Sequence, residues 1–378
     1  MIFMGTALML VLALGLLLFS GCAITGRAVE KPSDETIKIG VICPLSGANA
    51  YLGEYVKEGL ELFIEEQGSK VGFGNRRIQL VFEDSQSDPK TAISAYQKLT
   101  AVEGIKIIIP IESHITMALA PLAERDHVLL FTVGGASPRI SEAGDYVFRH
   151  NLLPQDEASF LANFIYNDVG VKKIGLVVAN SESGISWVDL FIDTYEGLGG
   201  VVAAKEVYGR SELDFRTFIL KLNKAGVKDV VLASYLDQAA GIMKQSQEYG
   251  YEFSWYAPYV IESPKLLVLA GGAEQGIRYS HFIDGSSPLF VEYDSRYRER
   301  YNHSSDPYAA LAYDSISILS RVISECGGGA ETGCLKNYLY GLKDYAGVTG
   351  NISFDSNGDT RKGLIIKTVR NGEFVRYE

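Results

Sequence analysis

Cysteine and histidine are scarce in this sequence, since its 378 residues contain four Cys and five His. No Cys-x-x-Cys pair occurs, and no Cys and His residues have the spacing of zinc ligands, which argues against a metal centre. Lys and Arg form no cluster, and the net charge of −11 disfavours binding to nucleic acid phosphates. After the first 21 residues no apolar run is long enough to cross a bilayer, which excludes a polytopic membrane protein.

Sequence signatures of catalysis are also missing. We find no Gly-x-Gly-x-x-Gly after the first strand, no Walker A motif and no Gly-x-Ser-x-Gly elbow. His114 is the histidine in a candidate loop, and no Ser and Asp partners accompany it, so we interpret it as lining a cleft rather than acting as a base. The sequence therefore predicts neither an enzyme nor a cofactor.

The one long apolar run lies at the N-terminus and ends in Leu18-Phe19-Ser20-Gly21-Cys22. Small residues before a cysteine resemble the lipobox of secreted lipoproteins, in which the thiol accepts a diacylglycerol. We therefore predict a signal peptide over 1–21, lipidation of Cys22, a tether over 22–35 and an extracytoplasmic body anchored to the cell membrane. The alternative is an uncleaved helical anchor, because the first 21 residues contain no Lys or Arg.

The remaining cysteines fit an oxidising compartment. Cys326 and Cys334 flank a glycine-rich stretch that can close a short loop, and we predict a disulfide between them. Cys43 follows an apolar run and is interpreted as a buried free thiol at the end of a strand.

Short β-branched runs alternate with helical patterns from residue 36 onward, which predicts an α/β fold. Strands that are apolar on both faces and separated by helices indicate parallel sheets covered on both sides. The pattern starts again after residue 156, so two α/β units of similar size are expected. The predicted strands cover 37–43, 77–84, 105–111, 127–133, 172–178, 201–207, 228–235, 253–260, 276–283, 352–354 and 364–369. Asp355, Asn357 and Asp359 resemble a calcium loop slightly, but their Asn-Gly pair favours a hairpin turn.

Loops at the carboxyl ends of parallel strands are the expected place for a ligand. Three such loops are rich in small residues and hydroxyl groups, and each opens a helix: 44–53, 112–116 and 134–138. Backbone N–H groups at helix N-termini attract a carboxylate or another anion. Single loops of this kind are commonly only turns and caps, but three at one edge of a sheet indicate a binding site.

The segment IKIGVICPLSGANAYLGEYVKEGLELFIEE resembles the opening of the leucine/isoleucine/valine-binding protein family, which are type I periplasmic binding proteins of ABC importers. The resemblance continues through LVFEDSQSDPKTAISAYQKLT and DPYAALAYDSI and covers the chain from residue 37 to about residue 370. It implies two α/β lobes, each a parallel sheet flanked by helices, joined by three chain crossings with the ligand in the cleft between them. Lobe one would comprise 36–152 plus 284–350, and lobe two 153–283 plus 351–378.

The resemblance also implies which residues bind the ligand. Amino-acid binders of the family hold the α-carboxylate with a serine after the third strand and backbone groups after the fourth. Some positions match the family pattern and others depart from it, so we expect weak or no binding of leucine, isoleucine and valine. The candidate ligand-binding residues are Tyr51, Ser113, Thr116, Gly134, Ala136 (where the family has a threonine), Ser137, Ser183 (where it has a tyrosine), Tyr235 and Tyr259 (where it has a glutamate).

The sequence thus predicts an extracytoplasmic solute-binding lipoprotein that captures a small polar ligand, such as an amino acid or a related amide or organic acid. Its partners would be the permease and ATPase subunits of an ABC importer, and its lipid anchor would hold it at the membrane. The alternative hypothesis is a ligand-sensing receptor component with the same fold.

Overall fold

The computed structural model describes residues 36–67 and 77–378. The predicted signal peptide, the lipidation site Cys22 and the tether lie outside the described residues. Among the helices that are described, none is both long enough and apolar enough to cross a bilayer.

The first sheet consists of parallel strands: β1 (Thr36–Cys43), β2 (Arg77–Asp84), β3 (Ile107–Pro110), β4 (Leu129–Val133) and β5 (Val147–His150). They lie side by side in the order β2-β1-β3-β4-β5. Every residue of β3, β4 and β5 is buried, so both faces of the sheet must be covered.

Helices cover the sheets on both faces. In chain order they are α1 (Ala50–Gln67), α2 (Pro89–Gln97), α3 (Ser113–Asp126), α4 (Pro154–Asn163), α5 (Glu182–Gly197), α6 (Arg216–Lys224), α7 (Leu236–Glu248), α8 (Pro264–Ala270), α9 (Pro288–Tyr301), α10 (Pro307–Glu325) and α11 (Thr332–Gly341). Helices α1, α9, α10 and α11 pack on one face of the first sheet, and α2 and α3 on the other. We call this sheet with these helices the first lobe.

The second sheet contains β6 (Lys173–Ala179), β7 (Val201–Tyr208), β8 (Asp229–Ala233), β9 (Ser254–Ala257), β10 (Arg278–His281), β13 (Ile365–Arg370) and β14 (Glu373–Arg376). Its order is β14-β13-β10-β9-β8-β6-β7, with α4 and α5 on one face and α6, α7 and α8 on the other. We call it the second lobe. One strand differs from the predicted parallel arrangement: β13 runs antiparallel to both β10 and β14. A separate hairpin is formed by β11 (Tyr345–Gly347) and β12 (Gly350–Ile352).

The chain passes between the sheets after β5, after β10 and before β13. Two of these crossings are tied together by polar contacts. Thr360 Oγ1 donates to the carbonyl of Asn151 at 2.9 Å, and Arg149 pairs with Asp359 at 2.7 Å with side chains 0% and 3% exposed. Such a buried pair is held in place by its additional hydrogen bonds, which Arg149 donates to the Ser137 carbonyl and to Ser141 Oγ.

The observed elements depart from the predicted bounds for identifiable reasons. The predicted strand over 253–260 ends at Ala257 because Pro258 has no N–H to continue the ladder, and Tyr259–Ile261 form a 3-10 turn instead. Helix α2 ends at Gln97 and is followed directly by a π-helical turn over Lys98–Val102. Strand β5 was not predicted, because its sequence VFRH contains two polar residues that are nevertheless buried.

Within the described residues the structure contains both the predicted disulfide and the predicted buried free thiol. Cys326 and Cys334 form a disulfide. Cys43 is a buried free thiol at the end of β1, and burial raises its pKa to about 12.

Candidate functional site

A cavity of about 350 Å³ lies between the carboxyl ends of strands from both sheets. Its volume falls within the range of small-molecule sites, which is roughly 300–1,000 Å³. The first lobe contributes Asn49, Tyr51, Glu112, Ser113, His114, Gly134, Ala136, Asp306 and Tyr308 to its wall, among others. The second lobe contributes Glu157, Ser181, Glu182, Ser183, Trp187, Ser234, Tyr235 and Tyr259, among others.

Most of the sequence-predicted ligand-binding residues meet at this cavity. Seven of them line it: Tyr51, Ser113, Gly134, Ala136, Ser183, Tyr235 and Tyr259. Thr116 and Ser137 do not line it.

Ser113 is the first residue of α3 and is 8% exposed. Its Oγ accepts hydrogen bonds from the backbone N–H groups of Ala136 at 2.9 Å and Ser137 at 3.0 Å. A serine hydroxyl has one donor and two acceptor positions, so these two bonds leave the O–H to be donated. Ser113 is thereby prepared to donate a hydrogen bond to an acceptor such as a carboxylate oxygen.

Gly134 follows β4 and brings the backbone close to Tyr308. Its φ of +76° is unfavourable for other residues, and a Cβ at this position would lie 2.2 Å from Tyr308 Cε1. The absence of a side chain therefore allows the Tyr308 ring to pack against this loop.

Thr116 is a correction to the predicted site. It is fully buried on α3, where its Oγ1 donates to the Glu112 carbonyl at 3.0 Å and contacts Thr132 Oγ1 at 2.9 Å. A helical threonine readily bonds to the carbonyl four residues before it, and the contact with Thr132 links α3 to β4, so the hydroxyl is used within the fold.

Ser137 is the second correction. It is fully buried, its N–H is bound to Ser113, and its Oγ donates to Glu182 Oε1 at 3.0 Å. The same carboxylate oxygen accepts from Arg139 Nη1 at 3.2 Å. Ser137 therefore belongs to a contact between the lobes, where its hydroxyl is already used.

Tyr259 lines the cavity with a hydroxyl that is already engaged. The residue is 2% exposed, and its hydroxyl donates to Asn151 Oδ1 at 2.8 Å. Its backbone N–H donates to Glu157 Oε1 at 2.8 Å. Tyr259 thus offers ring surface to the cavity but does not take the place of the acidic residue that the family has here.

Tyr51 and Tyr235 each lie beside a cation from the second lobe. Lys265 Nζ is 4.6 Å from the centroid of the Tyr51 ring, and the Arg210 guanidinium carbon is 4.0 Å from that of Tyr235. Neither tyrosine hydroxyl has a hydrogen-bond partner in the part of the chain that the structure describes. Both hydroxyl groups therefore remain available to a ligand.

Helix N-termini from both lobes open at the cavity. Ser113 begins α3, Ser183 lies in the first turn of α5, and Tyr235 directly precedes α7. Ser181 caps α5 by accepting the Gly184 N–H at 3.1 Å. The positive ends of these helices favour an anionic group in the cavity.

Sequence reasoning missed four carboxylates of the cavity wall: Glu112, Glu157, Glu182 and Asp306. It sought an acidic residue only where the family motif has one, at the position of Tyr259. Burial raises the pKa of Glu157 to about 7 and that of Asp306 to about 8. Burial also raises the pKa of Glu112, although His114, Ser87, Asn49 and Arg210 act in the opposite direction.

The lobes contact each other on more than one side of the cavity. Besides the Ser137 and Arg139 bonds to Glu182, Arg210 Nη2 donates to Asn49 Oδ1 at 2.6 Å. The Asn49 amide in turn donates to Glu112 Oε1 at 2.9 Å, so one hydrogen-bonded path runs from the second lobe to a carboxylate of the first. These contacts hold the lobes in a closed arrangement around the cavity.

The described residues contain no group of three or more His, Cys, Asp or Glu side chains placed to hold a metal ion. At the predicted hairpin turn, Asp355 Oδ1 accepts the N–H groups of Asn357 at 2.9 Å and Asp359 at 3.1 Å. Since Asp359 also pairs with Arg149, these side chains serve the turn and the chain crossing.

Comparison with known proteins matches residues 36–372 to a family model described as periplasmic binding protein. A leucine-, isoleucine-, valine-, threonine- and alanine-binding protein of Pseudomonas aeruginosa is 24% identical over 370 residues, covering 96% of this chain and 94% of the relative.

Two solved structures show the same fold. The branched-chain amino acid transporter substrate-binding protein LivJ of Streptococcus pneumoniae, in complex with isoleucine, has a TM-score of 0.84 at 24% identity, covering 90% of this chain and 98% of that chain. An ABC transporter solute-binding protein of R. palustris, in complex with benzoate, has a TM-score of 0.84 at 20% identity, covering 90% and 95%.

Proposed function

This chain belongs to the periplasmic binding protein family, and we propose that it is a membrane-anchored lipoprotein that captures a small polar ligand with a carboxylate for an ABC importer. Membership of the family makes it an extracytoplasmic solute-binding protein rather than an enzyme. Family membership does not specify the ligand class, the site residues or the lipid anchor, so these three are proposed.

The observation that carries the ligand class is the hydrogen bonding of Ser113. Its Oγ already accepts two backbone N–H groups, so its remaining capacity is to donate. The N-terminus of α3 at Ser113 adds a favourable field for negative charge. A ligand carboxylate at this position would meet both, while the aromatic side chains of Tyr51, Trp187 and Tyr235 would cover the rest of the ligand.

Closure of the lobes would couple binding to transport. A ligand that contacts both lobes stabilises the closed arrangement, and a permease that recognises this arrangement would distinguish loaded from empty protein. Permease and ATPase subunits would supply nucleotide hydrolysis.

A thermal-shift screen with amino acids, amides and small organic acids tests the ligand class. We expect at least one amino acid or organic acid to raise the unfolding temperature in a saturable manner, because a ligand that binds only the folded state stabilises it. The proposed ligand class fails if only ligands without a carboxylate, or none of the panel, stabilise the protein.

The lipid anchor rests on Cys22 and the small residues before it. Replacing Cys22→Ala should release the body into the soluble extracytoplasmic fraction, whereas the unchanged protein should sediment with membranes. A variant that stays in the membrane with its first 21 residues attached would identify that segment as an uncleaved anchor.

A further inference from the structure

A second cavity, of about 310 Å³, lies where two of the chain crossings run beside the β11–β12 hairpin. Its wall combines residues from the crossing after β10, from the hairpin and from the crossing before β13: Phe282, Asp284, Ser287, 348–351 and 362–365. We call it the crossing cavity. Its volume falls within the range of small-molecule sites. It shares no wall residue with the cavity between the lobes, so the two cavities are distinct.

The positive charge of this wall belongs to Lys362. Its Nζ donates to Thr349 Oγ1 at 2.9 Å and to His150 Nε2 at 3.2 Å. An ammonium group has three N–H donors, and the third has only the Thr349 carbonyl, at the long distance of 3.5 Å. In the part of the chain that the structure describes, Lys362 forms no ion pair with a carboxylate. Its ammonium group therefore has room for an acceptor, and an anionic one would be favoured.

Asp314 interacts with this charge through Thr349 rather than by direct contact. Its carboxylate accepts the N–H groups of Val348 and Thr349, each at 2.8 Å, and the Thr349 hydroxyl at 2.6 Å. Burial lowers the pKa of Lys362 to about 8, and Asp314 acts in the opposite direction. Because burial disfavours the charged amine, an anion in contact with Lys362 would stabilise it.

The rest of the wall is largely apolar. Lys362 Nζ lies 5.2 Å from the centroid of the Phe282 ring, so the ammonium group borders the apolar part of the cavity. Asp284 is the acidic residue of the wall, and its carboxylate accepts the Ser286 N–H at 3.0 Å and pairs with Arg376 at 3.7 Å. The apolar side chains of the wall are Phe282, Val348, Leu364 and Ile365.

We propose that the crossing cavity is a second binding site, which takes a small monocarboxylate with its carboxylate at Lys362 and its apolar body against Phe282 and Leu364. The carboxylate accepts the third N–H of the ammonium group and balances its charge. The occupant contacts two of the three chain crossings, so it stabilises the arrangement of the lobes in which this cavity is formed. The site is independent of the ligand class proposed for the cavity between the lobes.

Methyl NMR of the full extracytoplasmic body tests the proposal, because methyl groups report on each cavity separately. Val348, Leu364 and Ile365 line the crossing cavity, and Leu52 and Leu236 line the cavity between the lobes. The probes are benzoate and hexanoate, with benzamide and hexanamide as their neutral counterparts. We expect at least one carboxylate to shift the crossing-cavity methyls in a saturable manner. Its amide should bind there at least about 10-fold more weakly, as for loss of a hydrogen bond between charged groups.

Lys362→Met removes the charge and nearly preserves the length of the side chain. It should weaken the carboxylate at the crossing cavity by about 10- to 150-fold and leave the amide unweakened. Lys224→Met is the matched control, because Lys224 is exposed on α6 and lines neither cavity, so its affinities should equal those of the unchanged protein. The comparison of acid with amide uses the unchanged protein and does not depend on the folding of a variant.

Three results would overturn the proposal and leave the function of the cavity between the lobes standing. The first is that neither carboxylate shifts the crossing-cavity methyls, or that acid and amide bind there equally. The second is an unchanged affinity of the carboxylate for a folded Lys362→Met variant. The third is that the methyls of both cavities follow one dissociation constant in the unchanged protein and in Ser113→Ala, because the crossing-cavity methyls would then report only closure of the lobes.

Discussion

The substitution Ser113→Ala is expected to weaken both ligand binding and the stability of the empty protein. Ser113 Oγ is the acceptor for the N–H groups of Ala136 and Ser137, and the Ser137 N–H is buried. A buried N–H without an acceptor costs about 1–3 kcal/mol, so the free energy of unfolding should fall by about that amount. Loss of the hydrogen bond to a ligand carboxylate should cost a further 1.5–3 kcal/mol of binding free energy, roughly a 10- to 150-fold weaker affinity.

Urea unfolding of the ligand-free protein and calorimetric titration measure these two effects separately. Ser94→Ala is a suitable control, because Ser94 is exposed on α2 and its hydroxyl donates to the Lys90 carbonyl of its own helix. We expect that control to change stability by no more than about 0.5 kcal/mol and affinity not at all. The reasoning is refuted if Ser113→Ala leaves both quantities within the error of the control.

Three further variants test how the fold holds the site together. Asp359→Asn removes the partner of the fully buried Arg149 and should lower the free energy of unfolding by about 3–5 kcal/mol, measured in urea. Burial raises the pKa of Asp306 to about 8, above its unfolded value near 4, so the folded state binds the extra proton and stability should fall as pH rises from about 4 to 8. Asp306→Asn should flatten this dependence in unfolding temperatures recorded against pH. Replacing Cys326 and Cys334 by Ala opens a loop with a sequence separation of 8 and should cost about 2–3 kcal/mol in the chain-entropy account.

For each of these three variants, a specific result would contradict the prediction. Equal unfolding midpoints for Asp359→Asn and the unchanged protein would mean that the ion pair does not stabilise the chain crossing. A pH profile with the same slope in Asp306→Asn would assign the proton uptake to another group, such as Glu157. Free thiols at both cysteine positions in exported protein would exclude the disulfide.

Hydrophobic periodicity and turn residues were sufficient to predict the α/β architecture, because strands such as β1 and β4 consist mostly of apolar residues and are followed by loops of small residues. They were insufficient for β5, since its polar Arg149 and His150 are buried by partners that lie far away in the sequence, including Asp359 and Ser315. The sequence also did not indicate that β13 runs antiparallel to β10. The direction of a strand depends on how the chain re-enters the sheet, and the pattern of apolar residues carries no information about that.

The candidate site was predictable to the extent that it depends on loops after parallel strands. Ser113, Gly134 and Tyr235 line the cavity for that reason. Motif matching failed where a side chain is engaged elsewhere in the fold, since Ser137 bonds to Glu182 across the lobes and Thr116 bonds within its own helix. It also passed over Glu112, whose place in the cavity wall is visible only in three dimensions.

The central claim is that the cavity binds a small solute by its carboxylate at Ser113. A crystal structure of the protein with the amino acid that gives the largest thermal shift tests this claim most directly. We expect the ligand carboxylate within hydrogen-bonding distance of Ser113 Oγ. A ligand bound outside the cavity, or bound with its carboxylate away from Ser113, would contradict the account.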